Sequence, residues 1–208
     1  MCGRITQKAK AAEFSEFVYG FKPENDLMLT NIKPTQNVGI VVLDGDQPQT
    51  TAARWWFQKE GAKEFKTDYT TFNARSEKVS ESFLFRNALK SKRCLVPATS
   101  FYEWSEKGKP PHEIFLEAKH PFAFAGLWST YSEIGEQRRS FTIITCEPND
   151  FMKPIHNRMP VILDSIELQR LWLTEGSTQL LVPFRNQLKS FRLTESVEKT
   201  YPQNSISE

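Results

Sequence analysis

The chain opens MCGR, and its second residue carries chemistry that no internal position can supply. Methionine aminopeptidases remove Met1 when the next side chain is small, and cysteine qualifies. Cys2 would then hold a primary amine and a thiol on adjacent carbons. An α-amine titrates near ~7.8 and a lysine near ~10.4, so at neutral pH the nucleophilic fraction is roughly several hundred times larger at the terminus. Such an amine attacks an aldehyde to give a Schiff base. The thiol can then add to the imine and close a five-membered thiazolidine ring. That closure is intramolecular, with an effective molarity up to ~10⁵ M for well-oriented groups. Gly3 lets the backbone come close to a ligand. Many second-position cysteines are idle, so other groups must decide.

Taken singly, the other candidates have plainer readings. Glu103, in FYEW, reads as a buried partner of an arginine, and His156 as a structural or surface histidine. Asn73 suits a turn or cap, and Arg75 and Arg158 suit ion pairs with Glu77 or other acids. His112 and His120 receive no role. Cys94 and Cys146 read as small core residues in strands. Trp55 and Trp56 are adjacent, so in a strand they point to opposite faces. That leaves one for the core and the other as a stacking platform for a base, or else two structural tryptophans.

The elements that must position these residues are mostly strands. Runs at 38–43, 50–57, 93–104, 112–117, 121–131 and 140–146 are β-branched or aromatic and are broken by Gly, Pro, Asp and Asn. Residues 7–19 carry Ala11, Phe14, Phe17 and Val18 at helical spacing, which predicts an amphipathic helix from an N-cap at Thr6 to a C-cap at Gly20. Shorter helices are expected near Ser80–Leu89 and Ser165–Leu173, the latter with Asp164 as N-cap and Glu167 close to a capping box. No repeat, low-complexity run or linker is visible. The reading is α+β, a single strand-rich domain over residues 1–208, with a polar tail from about Val197.

Composition narrows the class. A 39% hydrophobic and 12% aromatic content supports a packed core rather than disorder. No run approaches the ~18 apolar residues of a membrane span, and the N-terminus lacks the apolar stretch of a secretory signal. A cytoplasmic, nucleoid-associated monomer is expected. Three dispersed cysteines give neither a disulfide framework nor a zinc spacing. The net charge of +2, from 27 basic and 25 acidic residues, is too balanced to mark a nucleic-acid partner by bulk charge. Nucleic-acid binding would have to come from local arginines.

MCGR, NIKPTQ at Asn31–Gln36, NARSE at Asn73–Glu77, RCLVPATSFYEW at Arg93–Trp104, FAGLW at Phe124–Trp128 and IHNRMPVIL at Ile155–Leu163 together resemble the SRAP (SOS response-associated peptidase) family. The resemblance runs from Met1 to about Leu163. It implies a β-barrel-like sheet with flanking helices and a protein that senses abasic sites in single-stranded DNA by covalent crosslinking. It implies that Cys2 crosslinks, that Asn73 orients Cys2 and the sugar, and that Glu103 and His156 are the catalytic carboxylate and histidine. It also implies that Arg4, Arg75 and Arg158 grip phosphates. The abasic sugar in its ring-opened form supplies the aldehyde that Cys2 needs. No metal or organic cofactor is called for. An acid–base pair suits proton movements in imine formation, and histidine titrates closest to physiological pH. Asn73 can only position, because it does not titrate. An aromatic surround from Tyr102 and Trp104 would disfavour a charged Glu103. Arginine's fork matches phosphate oxygens. Trp55, Trp56 and Pro34 are further candidates for contacts to bases. Departures are RWWFQK where a Trp-Gly segment is usual, Lys33 where alanine is common, and an atypical ending over Gln179–Thr200.

Two other functions fit parts of the pattern. An N-terminal-nucleophile hydrolase, such as a glutamine amidotransferase, also begins MCG, and would attack an amide with the Cys2 thiol. A peptidase acting on the protein's own N-terminus is related to it. FYEW and HNRMP are foreign to that class. A non-catalytic single-stranded DNA-binding module would need only Arg4, Arg75 and Arg158, and would bind without regard to a lesion.

Overall fold

The computed structural model describes residues 2–200. Its strands are β1 (Ile5–Ala9), β2 (Leu27–Ile32), β3 (Asn37–Asp44), β4 (Gln47–Trp55), β5 (Asn73–Arg75), β6 (Arg93–Ala98), β7 (Ser100–Glu103), β8 (His112–Leu116), β9 (Phe122–Glu133), β10 (Glu136–Cys146), β11 (Met159–Pro160), β12 (Ile162–Leu163) and β13 (Leu188–Arg192). The helices are α1 (Ala11–Phe17), α2 (Arg86–Ser91), α3 (Ile166–Thr174) and α4 (Val197–Thr200).

Five strands close on themselves. β4, β3, β6 and β9 pair in that order, and β10 pairs with both β9 and β4. Closure leaves this ring without a free edge. β9 is buried along its first half, where β12 pairs with its edge at Ala123–Phe124 and α3 lies against it. Within FAGLW, Gly126 is the point of closest approach: a Cβ there would lie 2.8 Å from both Thr142 O and Cys94 Sγ. Only glycine fits between β9 and its neighbours at that point. α3 locks on through Trp172, whose Nε1 donates to Cys94 O at 3.0 Å.

A second antiparallel sheet runs β13-β8-β7-β1-β2. It is joined to the barrel through Thr99. The run expected as one strand over 93–104 breaks there, with β6 in the barrel and β7 in the second sheet. Thr99 N donates to Thr6 O at 2.8 Å across the break.

Several elements differ from expectation. The helix expected over 7–19 is shorter, because Ile5–Ala9 is strand, pairing with β7 and β2. Gln7 is fully buried and its side chain donates to Pro97 O at 2.8 Å, a tertiary tie that outweighs helical periodicity. Lys10, not Thr6, is the N-cap, with its N–H donating to Glu13 Oε2 at 2.9 Å, and the helix ends at Val18 rather than Gly20. The helix placed near Ser80–Leu89 begins only at Arg86, after a series of turns. Ser165, not Asp164, caps α3, its side chain accepting from Leu168 N at 3.3 Å. The tail expected from Val197 starts instead with α4, and Val197 is fully buried with Leu193 against Tyr102. The rest of that expected tail, 201–208, lies outside the described residues, as does Met1.

Candidate active site

β7 ends on Glu103, and the alternation of a strand sends neighbours to opposite faces. Tyr102 faces a small cluster with Leu193, Val197 and Trp104, and its hydroxyl lies 2.9 Å from Thr6 Oγ1. Glu103 therefore does not owe its environment to Tyr102, as adjacency in sequence suggested. Its side chain is 2% exposed, and its Oε2 lies 3.9 Å from His156 Nε2. Burial raises the Glu103 carboxyl from the usual 4.5 to about 7. Cys2 is fully buried beside it. Burial, and then the Glu103 charge, push the Cys2 thiol well above its ordinary value.

His156 sits in the connection before β11. Its Nδ1 accepts the Arg158 backbone N–H at 3.0 Å. The proton of the neutral ring is then on Nε2, the nitrogen that faces Glu103. Arg158 O, 3.3 Å from the same Nδ1, is the contact a charged ring would use. Burial lowers the His156 value from its ordinary 6.5. The two groups are thus driven toward each other in proton affinity, the carboxyl up and the imidazole down.

Asn73 opens β5, which runs parallel to β10 with Asn73 opposite Ile143. Its Nδ2 donates to Ile143 O at 3.4 Å, while its Oδ1 is buried without a hydrogen-bond partner. A buried acceptor left in this way can take a hydrogen bond from an incoming group, since leaving it unmade costs about 1–3 kcal/mol.

The arginines part company. Arg75 is exposed. Arg4 donates to Asn31 Oδ1 and lies 6.0 Å from the centre of the Trp104 ring. Arg158 is held by Glu77 through both guanidinium arms, at 2.6 and 3.0 Å, and its Nη2 also donates to Thr145 O at 2.6 Å. The ion-pair reading of Arg158 describes this geometry, and its fork is not turned outward to a phosphate.

Trp55 is wholly buried, with its Nε1 donating to Phe72 O at 2.9 Å and its ring 6.1 Å from that of Phe141. It offers no face to a base and leaves the set of DNA contacts. Trp56 is half-buried, with its ring 5.3 Å from that of Phe72. The turn bearing Pro34 is stitched beside it, since Thr35 N donates to Trp55 O and Trp55 N to Gln36 O, each at 2.9 Å. Asn31, fully buried with φ of 55°, is a site neighbour that motif reading did not single out. Its signal is that asparagine tolerates the left-handed region better than most residues. Among the described residues no cluster of three or more His, Cys, Asp or Glu could hold a metal ion. No helix among them is long and apolar enough to cross a membrane.

Fold and site together define a barrel domain that holds a second-position cysteine against a carboxyl–imidazole pair. The chain belongs to the SOS response associated peptidase (SRAP) family, whose family model matches residues 1–200. It is 37% identical over 224 residues to abasic site processing protein YoaM of Bacillus subtilis, covering 100% of this chain and 96% of that one. It is 32% identical to abasic site processing protein HMCES of Xenopus tropicalis over 74% of this chain and 52% of that one. Its fold is similar to a crystal structure of a protein from Bordetella bronchiseptica, with a TM-score of 0.79, 23% identity, and 92% and 99% of the two chains covered. A protein from Bacteroides thetaiotaomicron gives a TM-score of 0.72 at 23% identity, covering 92% of each chain. At that identity the likeness concerns the fold alone.

Proposed function

We propose that this protein captures abasic sites in single-stranded DNA by forming a thiazolidine with Cys2 once Met1 has been removed. The observation that carries the reading is the burial of Cys2 next to a carboxyl raised to about 7 and a histidine 3.9 Å from it. The names of the relatives point the same way.

The steps balance without a cofactor. The Cys2 amine adds to C1′ of the ring-opened sugar and gives a carbinolamine. Protonated Glu103 delivers a proton to the hydroxyl, water leaves, and an iminium forms, which keeps its N–H. The thiol then adds to its carbon, and the thiol proton returns to the Glu103 carboxylate and restores the acid. Aldehyde and aminothiol thus become thiazolidine and one water. Because burial holds the thiol neutral, the amine reacts first. In this reading Asn73 Oδ1, buried without a partner, accepts from the amine or a sugar hydroxyl, and Arg75 and Arg4 meet flanking phosphates. β-Elimination from the imine would make a lyase side reaction.

Intact-mass measurement of the processed protein mixed with an abasic oligonucleotide tests this. The expected product is an adduct at the summed mass minus one water. Cys2→Ala should lose the stable adduct, yet keep strand cleavage through its new terminal amine. If wild type gives no adduct, the reading is wrong; glutamine hydrolysis instead would indicate the amidotransferase alternative.

A further inference from the structure

We propose that Asn31 is a positioning residue for DNA binding: set in a bulge of β2, its carboxamide aims the Arg4 guanidinium at a phosphate beside the lesion without neutralising it. The bulge shows in the register of β1 and β2. Ile5 faces Ile32 and Gln7 faces Leu29, so Thr6 stands against both Thr30 and Asn31. Bulges re-aim side chains and are over-represented next to active sites. Asn31 also has a φ of 55°. The other non-glycine residues with positive φ among the described residues, Thr35, Lys119 and Ile134, lie in connections between strands; Asn31 has it inside one. A left-handed residue within a strand is costly and persists only where its surroundings enforce it, as they do at ligand sites. The segment that follows holds the bulge in place: Lys33 N donates to Gln36 Oε1 at 2.7 Å, and Thr35 N to Trp55 O at 2.9 Å.

The chemistry of the pair says what the bulge is for. Arg4 stands two residues after Cys2, and its O accepts Tyr102 N at 3.0 Å, one residue before Glu103. Its guanidinium donates to Asn31 Oδ1 and lies 6.0 Å from the centre of the Trp104 ring. Arg4 is thus mounted at the edge of the site, on the strand that carries the nucleophile. A carboxylate partner would fix and neutralise an arginine together, as Glu133 does to Arg54 through both arms, at 2.7 and 3.2 Å. An amide oxygen accepts the same hydrogen bond and carries no charge. Asn31 therefore orients the Arg4 fork and leaves its positive charge to act on an anion. Asn31 is fully buried, so the acceptor itself is held. A side chain ordered before its ligand arrives loses less freedom on binding.

The inference rests on the reading of Arg4 as a phosphate contact, and the test separates the two. Anisotropy of an intact single-stranded oligonucleotide over a range of salt reads affinity without the covalent step. Arg4→Ala should weaken binding about tenfold in low salt and flatten the slope of log affinity against log salt by about 0.7. Asn31→Asp keeps an acceptor and tolerates the left-handed backbone, but sets a negative charge against Arg4. It should match Arg4→Ala in both affinity and slope. Asn31→Gly suits the same backbone and removes only the hold. It should weaken binding about threefold with the slope kept, since Arg4 stays charged but is no longer ordered in advance. In an Arg4→Ala background neither Asn31 substitution should weaken binding further, because both act through Arg4. If Arg4→Ala leaves affinity and slope unchanged, Arg4 meets no phosphate, and the inference falls with that reading. If Arg4→Ala flattens the slope while Asn31→Asp and Asn31→Gly bind as wild type does, the inference alone is overturned. Equal losses from Asn31→Asp with and without Arg4 also overturn it, since they would come from a general disturbance of the fold.

Discussion

Glu103 is where the residue scale carries the most consequence, because one side chain is asked to be costly and useful together. Its folded value of about 7 stands above the usual 4.5. A carboxyl raised by folding favours the native state only while it is protonated in both states. Its contribution is therefore whole below pH ~4.5 and is lost as pH rises through about 7. Glu103→Gln, which keeps shape and cannot ionise, should match wild type in stability in mild acid and exceed it in mild alkali. The ceiling on that gain is roughly 3 kcal/mol, since one pKa unit is about 1.4 kcal/mol. Urea unfolding at a series of pH values would read it, and a constant difference across the series would show that burial does not set the Glu103 value. The same substitution should slow crosslinking by about 10²-fold or more, the usual worth of a positioned acid or base. Stability and chemistry thus move in opposite directions at this residue, as expected where a buried group is kept for its reactivity. Cys2 shows the complementary case, its thiol held neutral by the same burial.

At the scale of elements, what could be read from sequence depended on which force decided the local structure. The barrel strands were legible because their apolar runs are long and their breaks are Gly, Asn and Asp; β3, β9 and β10 fall close to the expected runs. The strand at Ile5–Ala9 was not legible, because ITQKA is polar by pattern and becomes strand only by pairing with β7 and β2. The same holds for β5, three residues long and held by β10, with Asn73 opposite Ile143 70 residues further along the chain. Of the candidate site, Cys2, Glu103 and His156 were found by residue type and motif. Their surroundings were not: the burial of Glu103, the Glu77 clamp and the core role of Trp55 are facts of packing between distant segments. The C-terminal stretch makes the contrast testable. Read as a polar tail, it should tolerate Val197→Asp. In the fold, Val197 is fully buried with Leu193 against Tyr102, which stands one residue from Glu103. An unpaired charge in that cluster should cost about 2–3 kcal/mol. A midpoint of chemical unfolding unchanged by Val197→Asp would mean that α4 does not close over β7.

On the scale of the whole molecule, charge says how a DNA strand would be held. The 27 basic and 25 acidic residues nearly cancel. Many of them also cancel locally, as in Arg54–Glu133, Lys92–Glu60 and Lys189–Glu117. Long-range attraction of a polyanion should then be weak, and affinity must come from the few cations placed near the site. Arg158 is engaged with Glu77. Arg75 is exposed, and Arg4 lies beside Asn31 and Trp104. Each phosphate neutralised on a single strand contributes about 0.7 to the slope of log affinity against log salt. Two such contacts predict a slope of about −1.4, shallow for a DNA-binding protein. If Arg75 meets a phosphate as proposed, Arg75→Ala should reduce the magnitude by about 0.7 while leaving the crosslinking rate at saturating DNA unchanged. Fluorescence anisotropy with an intact oligonucleotide, which binds without reacting, measures this free of the covalent step. A slope steeper than about −4 would require six or so phosphates. The surface lysines would then act as a track, and a strand gripped only at the lesion would be the wrong picture of this molecule.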